Sequence, residues 1–378
     1  MRGKFYAAVL VLAVCFAAGI APMAARADTI DYPGSGFGAL PMIIAFDKSL
    51  FPTSTSGNEV TVNGNEPTFD LYHVFGGVSD VFVPNIEENK VFIKGGTVDN
   101  WVVGGFNIAG SASNNEVTVS DGTVGFVTGG YSDSVGYAAD NTVIISGGTI
   151  IDSVYGGESV DGDSTGNTVI ISGGGITNPV SYIYGGSSGG GDATGNTVII
   201  SGGTMPGCTI HGGKAPSGVS SGNTLIIDKL RDSGVFQIDN FQIINFVLPA
   251  EPPIDAMLKV TNVANIADAD IDITGVEAGA AFKAGDEIRL MTNTIIDSGY
   301  TNTVEADDGS KIYTFELSVD GMDLIATVVS VEDLPDPNPP KPTPKKKSSG
   351  LFGCDASGGL FGLMSLAALA FVRVKSGR

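Results

Sequence analysis

Three acidic side chains are the best candidates for binding a metal ion. Asp161 and Asp163 lie two residues apart in a Gly- and Ser-rich segment, and Asp192 lies in a similar segment further along the chain. Carboxylate oxygens are the ligands that Ca²⁺ prefers. The nonapeptide calcium repeat of secreted toxins is absent, and acidic loops also serve solubility. We therefore keep Asp161, Asp163 and Asp192 as calcium candidates only, and predict no resident metal and no cofactor.

The histidine and cysteine residues do not indicate catalysis. His211 directly precedes a Gly-Gly pair, as Tyr155 and Tyr184 do, so we expect its ring to occupy a structural position. His73 has no comparable context, and the sequence has no Cys and His spacing typical of a zinc site. Cys208 is expected to pack as a small apolar residue. The sequence therefore predicts no catalytic residue.

These side chains belong to an internal repeat, the main signal in the sequence. An Asn followed by alternating apolar residues recurs every 26–31 residues, and a Gly-Gly pair recurs in phase with it. Such a period is typical of solenoid architectures. The repeated residues are Asn58, Asn89, Asn115, Asn141, Asn167, Asn196 and Asn223, with Gly76-Gly77, Gly104-Gly105, Gly129-Gly130, Gly156-Gly157, Gly185-Gly186 and Gly212-Gly213.

Within each repeat the apolar residues alternate with a period of two, which indicates β-strands. The positions two and four residues after each Asn are aliphatic in every copy, so this face of the strand must point inward. One coil cannot bury its apolar face alone, whereas stacked coils share a continuous core. We therefore expect Val143, Val169 and Val198 to be neighbours in space.

The predicted fold is all-β, a parallel β-helix (solenoid) of about seven coils over residues 58–230. Residues 28–57 would form an N-terminal cap, and residues 231–331 a C-terminal β cap that protects the last strand edges. The Gly pairs suit corners that need a positive φ or a close backbone approach. Stacked Asn side chains can hydrogen-bond in a ladder, and Asn tolerates the left-handed conformation.

One outward column of the repeat is unusually apolar. The third residue after each Asn is mixed in the early copies but is Ile in four consecutive later ones: Ile144, Ile170, Ile199 and Ile226. A stripe of this kind is larger than scattered surface residues would explain. We expect either the region after residue 230 or a partner chain to cover it.

Parallel β-helices include polysaccharide lyases and hydrolases, so an enzyme is the alternative interpretation. Lyase chemistry on acidic sugars needs basic groups, but residues 58–227 contain no Arg and only Lys90, Lys94 and Lys214 against sixteen Asp and Glu. Hydrolysis needs two carboxylates at a fixed separation, and no cluster stands out. Across the whole chain, 20 basic residues face 41 acidic ones, so nucleic acid is an unsuitable partner.

The N-terminus has the organisation of a secretory signal peptide. Basic residues precede an apolar stretch, and the small residues Ala25 and Ala27 fit cleavage by signal peptidase before Asp28. Residues 1–27 are therefore predicted to be a signal helix that is removed. A lipidation site at Cys15 is less well supported, because Val14 is too large for the position before a lipidated Cys.

The C-terminus reads as a spacer followed by a sorting or anchoring signal. Residues 332–350 are rich in Pro and Lys, which makes an extended linker. Residues 351–378 combine a Gly-Cys motif, a short apolar helix and a basic end. This order resembles the Synerg-CTERM sorting signal, with the match carried by Gly353, Cys354, Asp355 and Ala356. The resemblance implies processing near Cys354 by a C-terminal sorting machinery and attachment at the surface, whereas a plain membrane anchor is the alternative.

A second resemblance covers residues 165–331 and concerns the general character of the sequence, not a specific motif. The segments INFVLPA, MLKVTN and KAGDEIRLM resemble the end of an autotransporter passenger, which is also a β-solenoid. Only 47 residues follow Val331, and a membrane barrel needs at least eight strands of about ten residues. We therefore do not expect a self-translocating autotransporter.

Together these features predict an exported protein at the cell surface or outer envelope, in contact with the membrane only through its termini. The favoured function is an adhesin-like or surface-coat protein without catalytic activity. Its partners would be a host surface, a glycan or sister copies, contacted through the corner loops and the flank of the solenoid. The alternative function is an exported carbohydrate-active enzyme, either a polysaccharide lyase or a hydrolase.

Overall fold

The computed structural model describes residues 29–32, 42–44, 50–52, 56–63, 71, 73–79 and 85–334. The chain divides into residues 1–334 and 335–378, and all described residues belong to the first unit. The predicted signal peptide with Ala27, and the predicted sorting signal with Gly353, Cys354, Asp355 and Ala356, lie outside the described residues. The described residues include no helix that could span a membrane.

The described residues form β-strands joined by turns and short loops. The first nine strands are β1 (Thr29–Tyr32), β2 (Met42–Ile44), β3 (Leu50–Pro52), β4 (Glu59–Asn63), β5 (Val74–Ser79), β6 (Asn85–Glu87), β7 (Lys90–Asn107), β8 (Ser111–Ser113) and β9 (Glu116–Ser132). The next thirteen are β10 (Ala138–Ala139), β11 (Thr142–Ile145), β12 (Thr149–Ile150), β13 (Val154–Ser159), β14 (Ser164–Thr165), β15 (Thr168–Ile171), β16 (Gly175–Ile176), β17 (Tyr182–Ser188), β18 (Ala193–Thr194), β19 (Thr197–Ile200), β20 (Thr209–Lys214), β21 (Ser220–Ser221) and β22 (Thr224–Asp228). The last nine are β23 (Ser233–Asp239), β24 (Ile243–Leu248), β25 (Leu258–Asn265), β26 (Asp270–Val276), β27 (Glu287–Met291), β28 (Thr294–Ile295), β29 (Thr301–Asp307), β30 (Lys311–Asp320) and β31 (Asp323–Asp333).

The strands form a parallel β-solenoid of about eight turns, where the sequence predicted about seven. Val143 pairs in register with Val169, and Val169 with Val198, as the repeat predicts. The strand before each Gly pair stacks in the same way, with Val154 beside Ile183 and Ile183 beside Ile210. Each repeat is therefore one coil, and its strands pair with their copies in the coils before and after.

The interior is dry and aliphatic. Val143, Ile145, Val154, Val169 and Val198 have no exposed surface. Each such side chain contributes about 1.5–3 kcal/mol when it is fully buried. Cys208 belongs to this core, which confirms that it packs as a small apolar residue. Burial alone raises the pKa of its thiol to about 12, so the thiol stays protonated at neutral pH.

Among the described residues two repeated positions adopt the left-handed backbone conformation, the second of them in five coils, and neither is the position that the sequence suggested. One is the residue directly before each ladder Asn, and the other is the second Gly of the SGG motif and its equivalents. The Asn residues themselves and the Gly pairs keep negative or extended φ angles. The left-handed residues are Gly57, Glu88, Asn114, Asp140, Gly166, Gly195 and Gly222 at the first corner, and Gly96, Gly122, Gly148, Gly174 and Gly203 at the second.

The Gly pairs serve close approach instead of positive φ. A Cβ on Gly156 would collide with the carbonyl oxygen of Gly185 in the next coil. A Cβ on Gly157 would lie 2.5 Å from Oδ1 of Asn167. Each pair therefore leaves the space that the next coil and its Asn side chain occupy.

Parallel stacking continues beyond residue 230. β24 pairs with β22, and β26 pairs with β24, so both strands extend the sheet of the repeat region. The pattern changes near the end of the described chain, where β27 pairs with β31, and β29, β30 and β31 form an antiparallel sheet. Buried rings of Tyr313 and Phe315 pack within this last part.

Candidate functional site

The repeated Asn side chains form a continuous hydrogen-bonded ladder inside the solenoid. The backbone N–H and Nδ2 of Asn141 both donate to Oδ1 of Asn167, at 3.0 Å each. Asn167 makes the same pair of bonds to Asn196, and Asn196 to Asn223. All the ladder Asn side chains are buried, so these bonds satisfy groups that water cannot reach. Their role is structural, as the repeat indicated.

The ladder ends on a residue that the sequence reading overlooked. The backbone N–H of Asn223 donates to Oε1 of Gln242 at 3.0 Å. Gln242 directly precedes β24 just as Asn223 precedes β22, so it holds the ladder position in the following coil. A side-chain amide at the same strand offset is the available signal, but Gln replaces the Asn that marks the other coils at this position.

A second polar column binds the corner loops to the coils. Ser132, Ser159 and Ser188 lie in register on successive strands and are buried. The hydroxyl of Ser159 donates to the carbonyl of Gly136 at 2.7 Å, and that of Ser188 donates to Gly162 at the same distance. The loop of one coil is thus held by the Ser of the next.

The calcium candidates sit on one corner of the rod and contact backbone groups. Oδ1 of Asp163 accepts the N–H of Asp192 at 2.9 Å, and Oδ1 of Asp192 accepts the N–H of Val219 at 2.7 Å. Asp161 and Asp163 are exposed. Within the described ranges no three His, Cys, Asp or Glu side chains are grouped to hold a metal ion. The contacts give Asp163 and Asp192 a coil-linking role, and calcium binding stays a prediction that a melting curve in calcium and in chelator would test.

The candidate binding site lies on the outer face of the strands that contain the Gly pairs. We call it the aromatic flank. Its rings stand at the positions directly before and after each pair, with two further rings on the same strands. The aromatic flank comprises Trp101, Phe106, Tyr131, Tyr155, Tyr182, Tyr184 and His211. Phe106, Tyr131 and Tyr184 are buried in it, whereas Tyr182 is exposed.

The rings of the flank stack along the rod. Phe106 and Tyr131 are parallel with ring centroids 5.0 Å apart. Tyr184 lies between Tyr155 and His211, with centroid distances of 5.0 and 5.1 Å. These spacings follow the distance between neighbouring strands in a sheet. The stacking confirms that the His211 ring fills a position in this column.

Stacking decides which parts of the rings can meet a ligand. The faces of Tyr155, Tyr184 and His211 cover one another, and Tyr184 keeps only 3 % of its surface exposed, so these three rings offer little surface to a ligand. Tyr182 stacks on Tyr184 at 5.4 Å but keeps 41 % of its surface exposed. Tyr182 is therefore the ring of this stack that offers most surface to a partner.

Two charged side chains lie on the flank at the position after the Gly pair. Glu158 pairs with Ser187 in the next coil, and Ser187 pairs with Lys214 in the one after, which places the two backbone positions about 10 Å apart along the rod. Lys214 Nζ lies 5.2 Å from the centroid of the Tyr184 ring. Such a cation–π contact holds the ammonium group over the ring stack.

Burial shifts the pKa values of Glu158 and His211 on the aromatic flank. It raises the pKa of Glu158 to about 7, while the positive charge of Lys214 lowers that pKa in part and Asp133 raises it further. Burial lowers the pKa of His211, against the opposing effect of Asp239. Within the described part of the chain, Nδ1 of His211 has no hydrogen-bond partner. At neutral pH the flank therefore carries a neutral imidazole and a Glu158 carboxyl group that is only partly ionised.

No known protein family, curated protein or solved structure matches the chain. The function must therefore be argued from the site itself.

The column of four Ile lies on a different side of the coil, on the outer face of β11, β15, β19 and β22. Its members are in register and only partly exposed. The prediction that the region after residue 230 covers them is wrong for β24 and β26, which extend the same sheet and do not cross its outer face. A partner chain remains as the predicted cover.

Sequence reasoning found part of the aromatic flank. It placed Tyr155, Tyr184 and His211 in one column but did not consider the position after the Gly pair, which holds Glu158 and Lys214. The alternation rule misleads there, because both residues of a Gly pair face inward against the next Asn. Two consecutive inward-facing residues shift the in–out alternation by one position. The residues directly before and directly after the pair therefore lie on the same outer face.

Proposed function

We propose that the protein is exported and acts at the cell surface as an adhesin-like or surface-coat solenoid with a binding role and no catalytic activity. The observation that carries the proposal is the aromatic flank, two groups of stacked rings on a repeat scaffold, of which Tyr182 is the most exposed member. A preformed surface of rings and a few polar groups lowers the conformational cost of binding a partner.

The chemistry of the flank suits an uncharged glycan or a glycan-bearing host surface. The exposed part of the Tyr182 ring can pack against the apolar face of a sugar, while its phenol group, Glu158 and Lys214 can hydrogen-bond to hydroxyls. The chain has a net charge of −21, so a strongly acidic polysaccharide would be repelled. Nucleic acid is disfavoured as a partner for the same reason.

Export and attachment rest on the two termini. Signal peptidase would remove residues 1–27 after Ala27, and a sorting machinery would act near Cys354. Residues 332–350 would then serve as a spacer, and the membrane would be contacted only through the termini. The strands at the two ends would protect the open sheet edges, with residues 28–57 as the N-terminal cap and, within the predicted 231–331 cap, the antiparallel strands β29–β31 closing the other end.

Cell fractionation with mass spectrometry of both mature termini tests export and anchoring. We expect a mature N-terminus at Asp28 and a C-terminus cut near Cys354, in the surface fraction. Retention of the intact chain in the cytoplasm would contradict the proposal.

Binding is tested with purified protein on a panel of neutral and acidic polysaccharides. Tyr182→Ala removes the most exposed ring of the stack and should weaken binding to any neutral glycan that the wild type retains by about tenfold. Ile254→Ala is the control, because Ile254 is 93 % exposed and lies in the loop between β24 and β25. Equal binding by both variants and the wild type would exclude the aromatic flank as the site.

A second candidate function is an exported carbohydrate-active enzyme, and Glu158 is the observation that favours it. A carboxyl group with a pKa near 7 beside aromatic rings is suited to general acid catalysis. The same panel decides the question when reducing ends and unsaturated products are measured. Turnover that Glu158→Gln abolishes would replace the binding proposal with a hydrolase or lyase.

A further inference from the structure

Alternating Thr and Ile side chains cover the outer face of four consecutive coils. On each of β11, β15, β19 and β22, one Thr and one Ile point outward while the residues between and after them are buried. All four strands pair in perfect register. We call this surface the Thr–Ile face: Thr142, Ile144, Thr168, Ile170, Thr197, Ile199, Thr224 and Ile226.

The Thr–Ile face carries no charge, although the rod is strongly acidic. Two rods of net charge −21 repel each other over most of their surface, so an uncharged face is where a second copy could approach at least cost. The face is bounded by charges at both ends. Lys90 and Lys94 stand two coils before Thr142, and Asp270 and Asp272 stand two coils after Thr224. Lys90 Nζ lies 3.7 Å from a carboxylate oxygen of Glu116 in the coil between, and both side chains are partly exposed.

Two copies can meet face to face around a two-fold axis in only two simple ways. When the axis runs along the rods, each coil meets its own copy, and Asp270 of one chain approaches Asp272 of the other. When the axis runs along the strands, the rods are antiparallel, and the Lys90 coil meets the Asp270 coil. In that arrangement Glu116 faces Ile243, so no coil between Lys90 and Asp270 meets a coil of like charge.

We propose that the Thr–Ile face binds a second copy of this chain, with the two rods antiparallel. The centre of the contact lies between β15 and β19, which puts Ile170 of one copy opposite Ile199 of the other. Thr142 of one copy then faces Thr224 of the other, and Lys90 faces Asp270 at both ends. The inference does not depend on export or on the aromatic flank, which lies on another side of the coil.

The size of the contact sets its strength. The contact includes the four coils of the Thr–Ile face and the two flanking coils at each end. These eight coils at about 4.8 Å give a contact roughly 34 Å long, and a width of about 14 Å gives on the order of 900 Å² for both copies together. Stable dimers bury about 1,200–2,000 Å². We therefore expect weak, concentration-dependent pairing, which becomes effective where many copies are held at one surface.

Sedimentation of the full chain in one mild detergent, across about 1–200 µM, measures the pairing. Lys90→Glu and Asp270→Lys should each weaken the dimer by about fivefold or more, and the double variant should restore it. The control pair is Lys283→Glu and Asp268→Lys, two exposed residues with the same changes of net charge. A wild type that stays monomeric, or a dimer that ignores both Lys90→Glu and Asp270→Lys, would overturn the proposal.

Disulfide trapping fixes the orientation. In a background of Cys15→Ser and Cys354→Ser, a mixture of the Ile170→Cys and Ile199→Cys chains should cross-link faster than either chain alone. A mixture of Thr168→Cys with Ile170→Cys should cross-link poorly, because these positions meet only in the parallel arrangement. Faster cross-linking of the Thr168→Cys and Ile170→Cys mixture would exclude the antiparallel dimer. Circular dichroism of each variant is the control that the solenoid is folded.

Discussion

At the scale of single residues, the ladder Asn side chains are the most demanding positions in the fold. Asn167 accepts two bonds from Asn141 and donates to Ala138, Ser164 and Asn196, all away from water. Asn167→Ala leaves several of these groups unsatisfied at once. We expect it to lower the free energy of unfolding by about 2–5 kcal/mol, measured by urea denaturation.

The matched control for this change is Asn262→Ala. Asn262 is exposed on β25, and its amide bonds only to Gln237 at the surface. Its loss should cost less than about 0.5 kcal/mol. Equal effects at Asn167 and Asn262 would mean that the ladder does not stabilise the rod.

Two glycine positions should respond to substitution in different ways. Gly157→Ala places a Cβ 2.5 Å from the Asn167 side chain, and we expect a loss of about 2 kcal/mol or more. Gly195 has a φ of +65° and open space around its Cβ position, so Gly195→Ala should cost only about 1 kcal/mol. Gly195→Asn should cost less still, because Asn114 occupies the equivalent left-handed position. Thermal unfolding of the three variants tests this order, and Gly157→Ala as the mildest change would contradict it.

The raised pKa of Glu158 predicts a pH dependence of stability. The folded state holds the Glu158 proton more tightly than the unfolded chain does. The stabilisation that this proton gives the folded state is therefore complete below the ordinary pKa of 4.5. It is lost as the pH rises towards about 7. Glu158→Gln should be more stable than the wild type at pH 8 by about 1–2 kcal/mol, allowing for the part of Glu158 that meets water, and this advantage should vanish near pH 4.

His211 changes the pH dependence of stability in the opposite direction. Because its pKa is lowered in the folded state, its contribution to the free energy of unfolding increases as the pH rises. The difference between wild type and Glu158→Gln, measured by urea denaturation from pH 4 to pH 8, isolates the carboxyl group. A difference that does not change with pH would show that Glu158 titrates normally.

At the scale of strands and coils, much of the structure follows from the sequence. The period of two placed the strands, and the uniform aliphatic columns at Val143 and Ile145 placed the inward face. Corner geometry was harder to predict, because Glu88, Asn114 and Asp140 alternate with Gly at one left-handed position and share no side-chain type. Stacking of β24 and β26 was also missed, since their coils lack the Asn and the Gly pair that mark the others.

Each coil should be removable as a unit. Deleting residues 141–166 joins Asp140 to Asn167 and restores both the left-handed corner and the ladder, because Asn115 can then bond to Asn167. We expect a folded solenoid that is one coil shorter and unfolds cooperatively. Its circular dichroism spectrum should remain typical of β-structure.

Deleting residues 141–153 is the corresponding control. It removes half a coil, so the strand after the deletion no longer meets its copy in the neighbouring coils. We expect loss of cooperative unfolding or aggregation. Equal stability of the two deletions would show that the coils are not the repeating structural units.

At the scale of the whole solenoid, stacking keeps distances along the rod independent of loop length. Intervals of 19 and 27 residues both advance the chain by one coil, from Thr224 to Ile243 and from Ile243 to Asp270. The candidate site depends on this regularity. The rings of Tyr155, Tyr184 and His211 meet only because three separate coils are in register.

Pulsed electron–electron distance measurements test this central claim most directly. Spin labels would be placed at Lys90 and, in turn, at Thr197, Thr224, Ile243 and Asp270, with unlabelled protein added to dilute contacts between copies. Stacked coils predict backbone separations of about 19, 24, 29 and 34 Å, equal steps of about 4.8 Å despite the unequal sequence intervals. Distances that fail to increase in this order, or steps that follow the number of intervening residues, would contradict the solenoid and the site built on it.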